Sequence, residues 1–220
     1  GFKLILLRRK EAFFLFFLLM RRGFSTFCGI SKQRINLNPV QQTSLLTAYW
    51  RNCELSASPP LCQDTYARFL LDSLLDPELL QRFKGSPLNA EGQDIIAVRT
   101  RVLDSWLLDF EYRGPRQVVL LGAGMDTRAY RLDMGEDVCV FEVDLDLKVL
   151  QAKQATLESN GVIPRTDIAL VEADLSDPGV VSEQLQLAGL NPATPTQWVA
   201  EGLLEYLPLT VHQDVFAMAK

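Results

Sequence analysis

The chain has 220 residues, 48% of them apolar and 22% charged, with a net charge of −5. That is the ordinary range for a globular protein, with enough length for one α/β domain and a substantial core. Residues 1–53 carry nine Lys/Arg against one acid, Glu11, whereas residues 54–220 carry 13 against 26, and so acidic a body argues against a general nucleic-acid surface.

The basic head contains the apolar run Ala12 to Met20, flanked by Arg8, Arg9 and Lys10 and by Arg21 and Arg22. Nine apolar residues are too few to span a bilayer, which takes about 20. Arginine richness, near absence of acids and the following Ser25 and Thr26 suit an organelle transit peptide (mitochondrion or plastid). A secretory signal and a stretch foreign to the protein are the alternatives, and without a targeting role the chain is expected in the cytoplasm. Residues 1–36 are therefore set apart from the domain expected over 37–220.

Asn38-Pro39 offers an N-cap and a first-turn proline for a helix through Leu45, Leu46, Tyr49, Trp50 and Cys53, broken by Ser58-Pro59-Pro60. Asp64 can cap a second helix with Tyr66, Phe69, Leu70 and Leu74 as its apolar face, and Asp76-Pro77 starts a short third one. A long helix is predicted from about Asn89 to Phe110, ended by Arg113-Gly114-Pro115. On that helix Ile95, Ile96, Val102, Leu103, Trp106, Leu107 and Phe110 share one face, and Arg99 falls in its middle, where a charge needs an anionic partner. Arg101 lies on the opposite side, with Asp104 at i+3 as an exposed ion-pair partner.

Strand and helix then alternate. Strands are predicted at 118–121, 138–143, 168–172 and 197–200, with helices near 126–132, 146–159 and 179–188, the last capped by Ser176 or Asp177. A final helix is predicted from Thr210, with Gln213 completing a capping box. The fold class is thus α/β: a Rossmann-like parallel sheet in order 3-2-1-4 with an N-terminal helical layer. Four strands leave a backbone edge open at the last one. The chain is expected to be a fragment with further strands beyond Lys220, and Val211, Val215, Phe216 and Met218 to be less buried than their helical spacing anticipates.

The chemistry-bearing signal is Gln117 to Arg128, an apolar β-branched run that ends in Gly122-Ala123-Gly124. A strand, a tight glycine turn and a helix start let a backbone approach an adenosine-containing cofactor. Asp144 ends the next strand, 22 residues after Gly122, where a carboxylate can accept from both ribose hydroxyls. Thr127 stands where a dinucleotide motif has its third glycine, which counts against a nicotinamide-dependent oxidoreductase. Asp174, at the end of the third strand, is either an acceptor for an adenine amino group, with the Leu175 N–H beside it, or a turn aspartate. Glu201 ends the fourth strand at the carboxyl edge, where open α/β sheets bind ligands. The four cysteines form no CxxC pair, so neither a disulfide framework nor a metal site is expected. His212, the single histidine, reads as a surface residue and leaves histidine-dependent nucleophilic catalysis without support.

Together these stretches resemble the leucine carboxyl methyltransferase family, within the class I S-adenosylmethionine-dependent methyltransferases. The resemblance is carried by Arg99-Thr100-Arg101, by Leu121 to Leu132 with its GAGMDTRAYRL continuation, by Phe141-Glu142-Val143-Asp144, by Ala173-Asp174-Leu175 and by Glu201 to Leu207. Leu45 to Arg51 looks like the bacterial-type, small-molecule branch. The resemblance implies an O-methyltransferase with S-adenosyl-L-methionine as cofactor and a small-molecule or peptide carboxylate or hydroxyl as acceptor. It implies that Arg99 or Arg101 binds the methionine carboxylate, and helix phase favours Arg99. The loop of Gly122 and Gly124 passes under methionine and ribose, Asp144 binds the ribose, Asp174 and Leu175 the adenine, and Glu201 the amino group. Tyr206 and Arg128 are candidates for the pocket lining. A non-catalytic cofactor-binding module is the remaining alternative.

Overall fold

The structure is a computed structural model that describes residues 37–87, 89–109, 117–135 and 137–219. The basic head, Phe110 and the Arg113-Gly114-Pro115 helix break lie outside these residues. The described chain forms two compact units, divided between Val98 and Arg99.

Among its described residues the first unit is built from helices. α1 (Pro39–Glu54) starts at Asn38, whose side chain accepts from the Gln41 N–H while Gln41 reaches back to the Asn38 N–H, a complete capping box. α2 (Ala67–Leu74) buries Ala67, Leu70, Leu71 and Leu74, whereas Tyr66 and Phe69 of the predicted face are only half-buried. Asp64 serves this helix as expected, accepting from the Tyr66 and Ala67 N–H groups, and its other oxygen takes the Arg51 guanidinium at 2.8 Å in a buried pair. α3 (Pro77–Lys84) is capped by Asp76. α4 (Asn89–Asp109) begins in this unit. There Gly92 faces the Trp50 ring so closely that a Cβ would come within 2.4 Å of it, and Asn89 accepts from the Trp50 indole N–H at 3.2 Å.

The second unit is the predicted sheet. β1 (Gln117–Leu121), β2 (Cys139–Asp144), β3 (Asp167–Glu172) and β4 (Thr196–Ala200) run parallel in the order β3-β2-β1-β4. β1 is buried at every residue, because a central parallel strand is covered on both faces. β3 and β4, at the margins of the described sheet, are more open. α5 (Arg128–Arg131), α6 (Leu147–Ser159) and α7 (Pro178–Leu187) fill the connections, α6 capped by Asp146 and α7 by Asp177. Val119, Leu121, Phe141, Val143, Val171 and Leu175 anchor the core of this unit.

The C-terminal segment departs from expectation. Short 3-10 turns occupy Leu204–Tyr206 and Leu209–Val211, and α8 (His212–Ala217) starts two residues later than predicted, with no side-chain cap. Val215 is fully buried in the sheet core, contrary to the expectation that it would be less buried than its spacing anticipates, while Val211, Phe216 and Met218 are half-buried. His212 is no free surface residue: its Nε2 lies 2.9 Å from the Leu204 carbonyl and 3.1 Å from that of Leu207. No described helix is long and apolar enough to cross a membrane.

Candidate functional site

Register builds the site. Leu121 pairs with Val143 on one side and with Ala200 on the other. The residues that follow β1, β2 and β4 therefore emerge together at the carboxyl edge. The strand order reverses direction between β1 and β4, which is where open α/β sheets form a ligand crevice.

The turn after β1 has Gly122 at φ +65 and Gly124 at φ +40, and a Cβ on Gly122 would come 3.1 Å from Leu203 Cδ1. A side chain there would be strained in the backbone and crowded besides. The turn is tied to β2 by two bonds, Ala123 N–H to the Val143 carbonyl at 2.9 Å and Gly124 N–H to Asp144 Oδ2 at 2.9 Å. The glycine–aspartate spacing in the sequence is thus a direct contact. Burial pushes the Asp144 carboxyl above the usual aspartate value, against the pull of the Gly124 and Asp146 N–H groups. Leu145, next in the chain, is exposed over 63% of its surface and sets an apolar face beside that carboxylate.

The fourth strand delivers Glu201 into a network of charges. Arg99 Nε donates to Glu201 Oε1 at 2.6 Å, so the cation on the apolar helix face finds its partner 102 residues away in sequence. Gly202 follows at φ +60, where an L side chain is strained, although a Cβ there would make only ordinary contact with the Arg99 guanidinium at 3.5 Å and Glu205 Oε1 at 3.7 Å. Glu205 is a member of this cluster that the sequence alone did not single out. Its only signal was its place four residues after Glu201.

Arg128 is the centre of the network and corrects the expectation that it lines the pocket. Its side chain is 2% exposed and donates to Glu201, Asp126 and Asp104. Burial works against its charge, but Asp126, Glu201 and Asp104 hold it protonated. Asp104, the expected partner of Arg101, is taken instead by Arg128 and, through two nitrogens, by Arg131. Arg101 is exposed. Tyr206 is half-buried in the 3-10 turn.

Asp174 is exposed, and its Oδ1 accepts from the Ser176 N–H at 2.9 Å, which holds its carboxyl below the usual aspartate value. The turn role therefore exists in the fold. Leu175 turns its side chain into the core, leaving only backbone to face a ligand. Register brings Asp174 to the same edge, two residues past the Asp144–Glu172 pair.

Arg99, Glu201 and Asp144 beside the glycine turn offer partners of opposite charge or hydrogen-bonding sense for a carboxylate, an ammonium and a ribose diol, the groups of a zwitterionic nucleoside. A relative in Mycolicibacterium smegmatis, named "Putative S-adenosyl-L-methionine-dependent methyltransferase", is 38% identical over 192 residues, covering 81% of this chain and 59% of its own length. Proteins of the same name in Mycolicibacterium gilvum and Mycobacterium bovis are 41% and 35% identical, covering 67% and 81% of this chain. The chain thus spans only 52–59% of the length of these relatives. The family profile described as leucine carboxyl methyltransferase matches residues 44–220. That match takes in the glycine turn, Asp144 and Glu201, the residues that the fold gathers at one edge, and the chain belongs to the leucine carboxyl methyltransferase family.

Proposed function

We propose that this chain binds S-adenosyl-L-methionine and forms the cofactor half of an O-methyltransferase acting on a carboxylate or an acidic hydroxyl. The observation that carries the reading is the Asp144 carboxylate seated on the Gly124 N–H at the carboxyl ends of β1 and β2. A carboxylate has about four acceptor positions, so Asp144 can hold the glycine turn and still accept from a ribose diol. Arg99 is the partner for the methionine carboxylate and Glu201 for the ammonium. They now neutralise one another, and a zwitterion inserted between them replaces each partner with a like one. Asp174 and the Leu175 backbone lie where an adenine edge would rest, with Leu145 as an apolar face.

The cofactor supplies an already activated sulfonium methyl. The protein's part is then to align the acceptor in line and exclude water. A carboxylate acceptor needs no general base, whereas a hydroxyl does. The single histidine has its Nε2 held by two carbonyls of the turn at Leu204–Leu207, and the reading favours a carboxylate or an acidic hydroxyl.

Calorimetric titration with S-adenosylmethionine and, separately, with NAD tests the cofactor. Binding of NAD alone would refute the reading in favour of an oxidoreductase, and binding of neither would refute both. Transfer of a labelled methyl group to small carboxylic acids, phenols and peptide C-termini then identifies the acceptor class.

A further inference from the structure

One buried ion pair has no part in the site described so far. Lys153 on α6 and Glu142 on β2 are both fully buried, and Lys153 Nζ meets Glu142 Oε1 at 2.8 Å. Removing two charges from water costs more than their attraction returns unless every polar atom is satisfied, and an apolar pair of similar volume usually serves a core as well or better. This pair falls short of that condition: Glu142 Oε2 is buried without a hydrogen-bond partner. Burial also pushes the Glu142 carboxyl above its usual range, against the opposing pull of Lys153. Stability is therefore a poor reason for the pair.

Lys153 does one thing that no apolar residue can do. Its Nζ donates at 2.8 Å to the backbone carbonyl of Asp126, in the segment between the glycine turn and α5. The Asp126 carboxylate in turn accepts from the Arg128 N–H at 2.8 Å and from the Arg128 guanidinium. Arg128 holds Glu201, and Glu201 holds Arg99. An unbroken chain of polar contacts thus runs from the floor of the sheet to the charges assigned to the amino-acid end of the cofactor. Glu142, bonded to Nζ at 2.8 Å, holds the Lys153 side chain in place.

We infer that Lys153 is a positioning residue, which sets the Asp126 turn through its carbonyl and so aims Arg128 and Glu201 at the cofactor. The inference rests on the cofactor reading above. Two variants separate it from a purely structural role. Lys153→Met/Glu142→Met replaces the pair with apolar side chains and removes the tether. It should melt close to the unaltered chain yet bind S-adenosylmethionine about tenfold more weakly. Glu142→Gln leaves the tether but strands a buried ammonium, so it should melt lower and bind as before. Affinity that tracks melting temperature across both variants, or an unchanged affinity in the double variant, would overturn the inference and leave the cofactor reading standing. Failure of the unaltered chain to bind would overturn both. If the double variant does not fold, Glu142→Leu/Lys153→Leu, which also lacks a donor, takes its place under the same expectations.

Discussion

Arg99 and Arg128 both hold Glu201, yet their loss should have opposite consequences. In Arg99→Met the Glu201 carboxylate keeps Arg128, so no buried charge is stranded. The lost pair is 12–16% exposed at its side chains, and its removal should cost about 1 kcal/mol of stability, the upper end for a pair that retains solvent contact. That corresponds to a melting shift of roughly 2–4 °C for a chain of this size. The cofactor carboxylate would lose its only assigned cation, a charge-assisted hydrogen bond of about 1.5–3 kcal/mol, or roughly ten- to a hundredfold in Kd. In Arg128→Met, Glu201 keeps Arg99 and Asp104 keeps Arg131, but Asp126 loses its cation and an apolar side chain takes a position 2% exposed among three carboxylates, at a cost of about 3–5 kcal/mol. Calorimetry for affinity and thermal unfolding for stability read the two effects apart. Arg101→Met is the control. An Arg99→Met chain that binds the cofactor undiminished, or a larger loss from Arg101→Met, would show that the zwitterion is not bound between Arg99 and Glu201.

Asp144→Ala should weaken cofactor binding by about 1.5–3 kcal/mol, and an unchanged Kd would remove Asp144 from the ribose. Because burial raises the Asp144 carboxyl and only its ionised form accepts from two hydroxyls, affinity should be flat at neutral pH. It should fall on acidification before the ordinary aspartate value of about 3.9 is reached. Titrations in a pH series test this, and the same loss in Asp144→Asn would assign it to another group. In the helical unit, Gly92→Ala gains about 1 kcal/mol of helix propensity but drives a Cβ to 2.4 Å from the Trp50 ring. Overpacking of that kind costs about 1–3 kcal/mol, so the melting temperature should drop. A rise would mean that the ring yields freely.

The strands were legible because each is an apolar run between turn residues, and the predicted limits differ from the observed ones by at most one residue at either end. The glycine turn and Asp144 were legible for a related reason. Parallel register places residues at the ends of successive strands side by side, so spacing in the chain translates into contact. Arg99 was half legible. Helix phase showed that its charge needed an acid, but nothing local could name one so remote as Glu201. The role of Arg128 was hidden altogether, since its three carboxylates come from three segments. Asp104 shows the limit of spacing rules: position i+3 says which groups can meet, whereas the better-buried Arg128 and Arg131 decide which do. Lys153 lay on a helix that reads as ordinary, and only burial reveals that its charge points inward.

The contact of His212 with the turn behind Glu201 fixes how that imidazole can behave. Both of its partners are carbonyl oxygens, which only accept, so Nε2 must carry hydrogen and the ring is held in one tautomer. The imidazole shares the one hydrogen of Nε2 between two carbonyls, and a glutamine, whose amide nitrogen carries two hydrogens, has the chemistry to replace it.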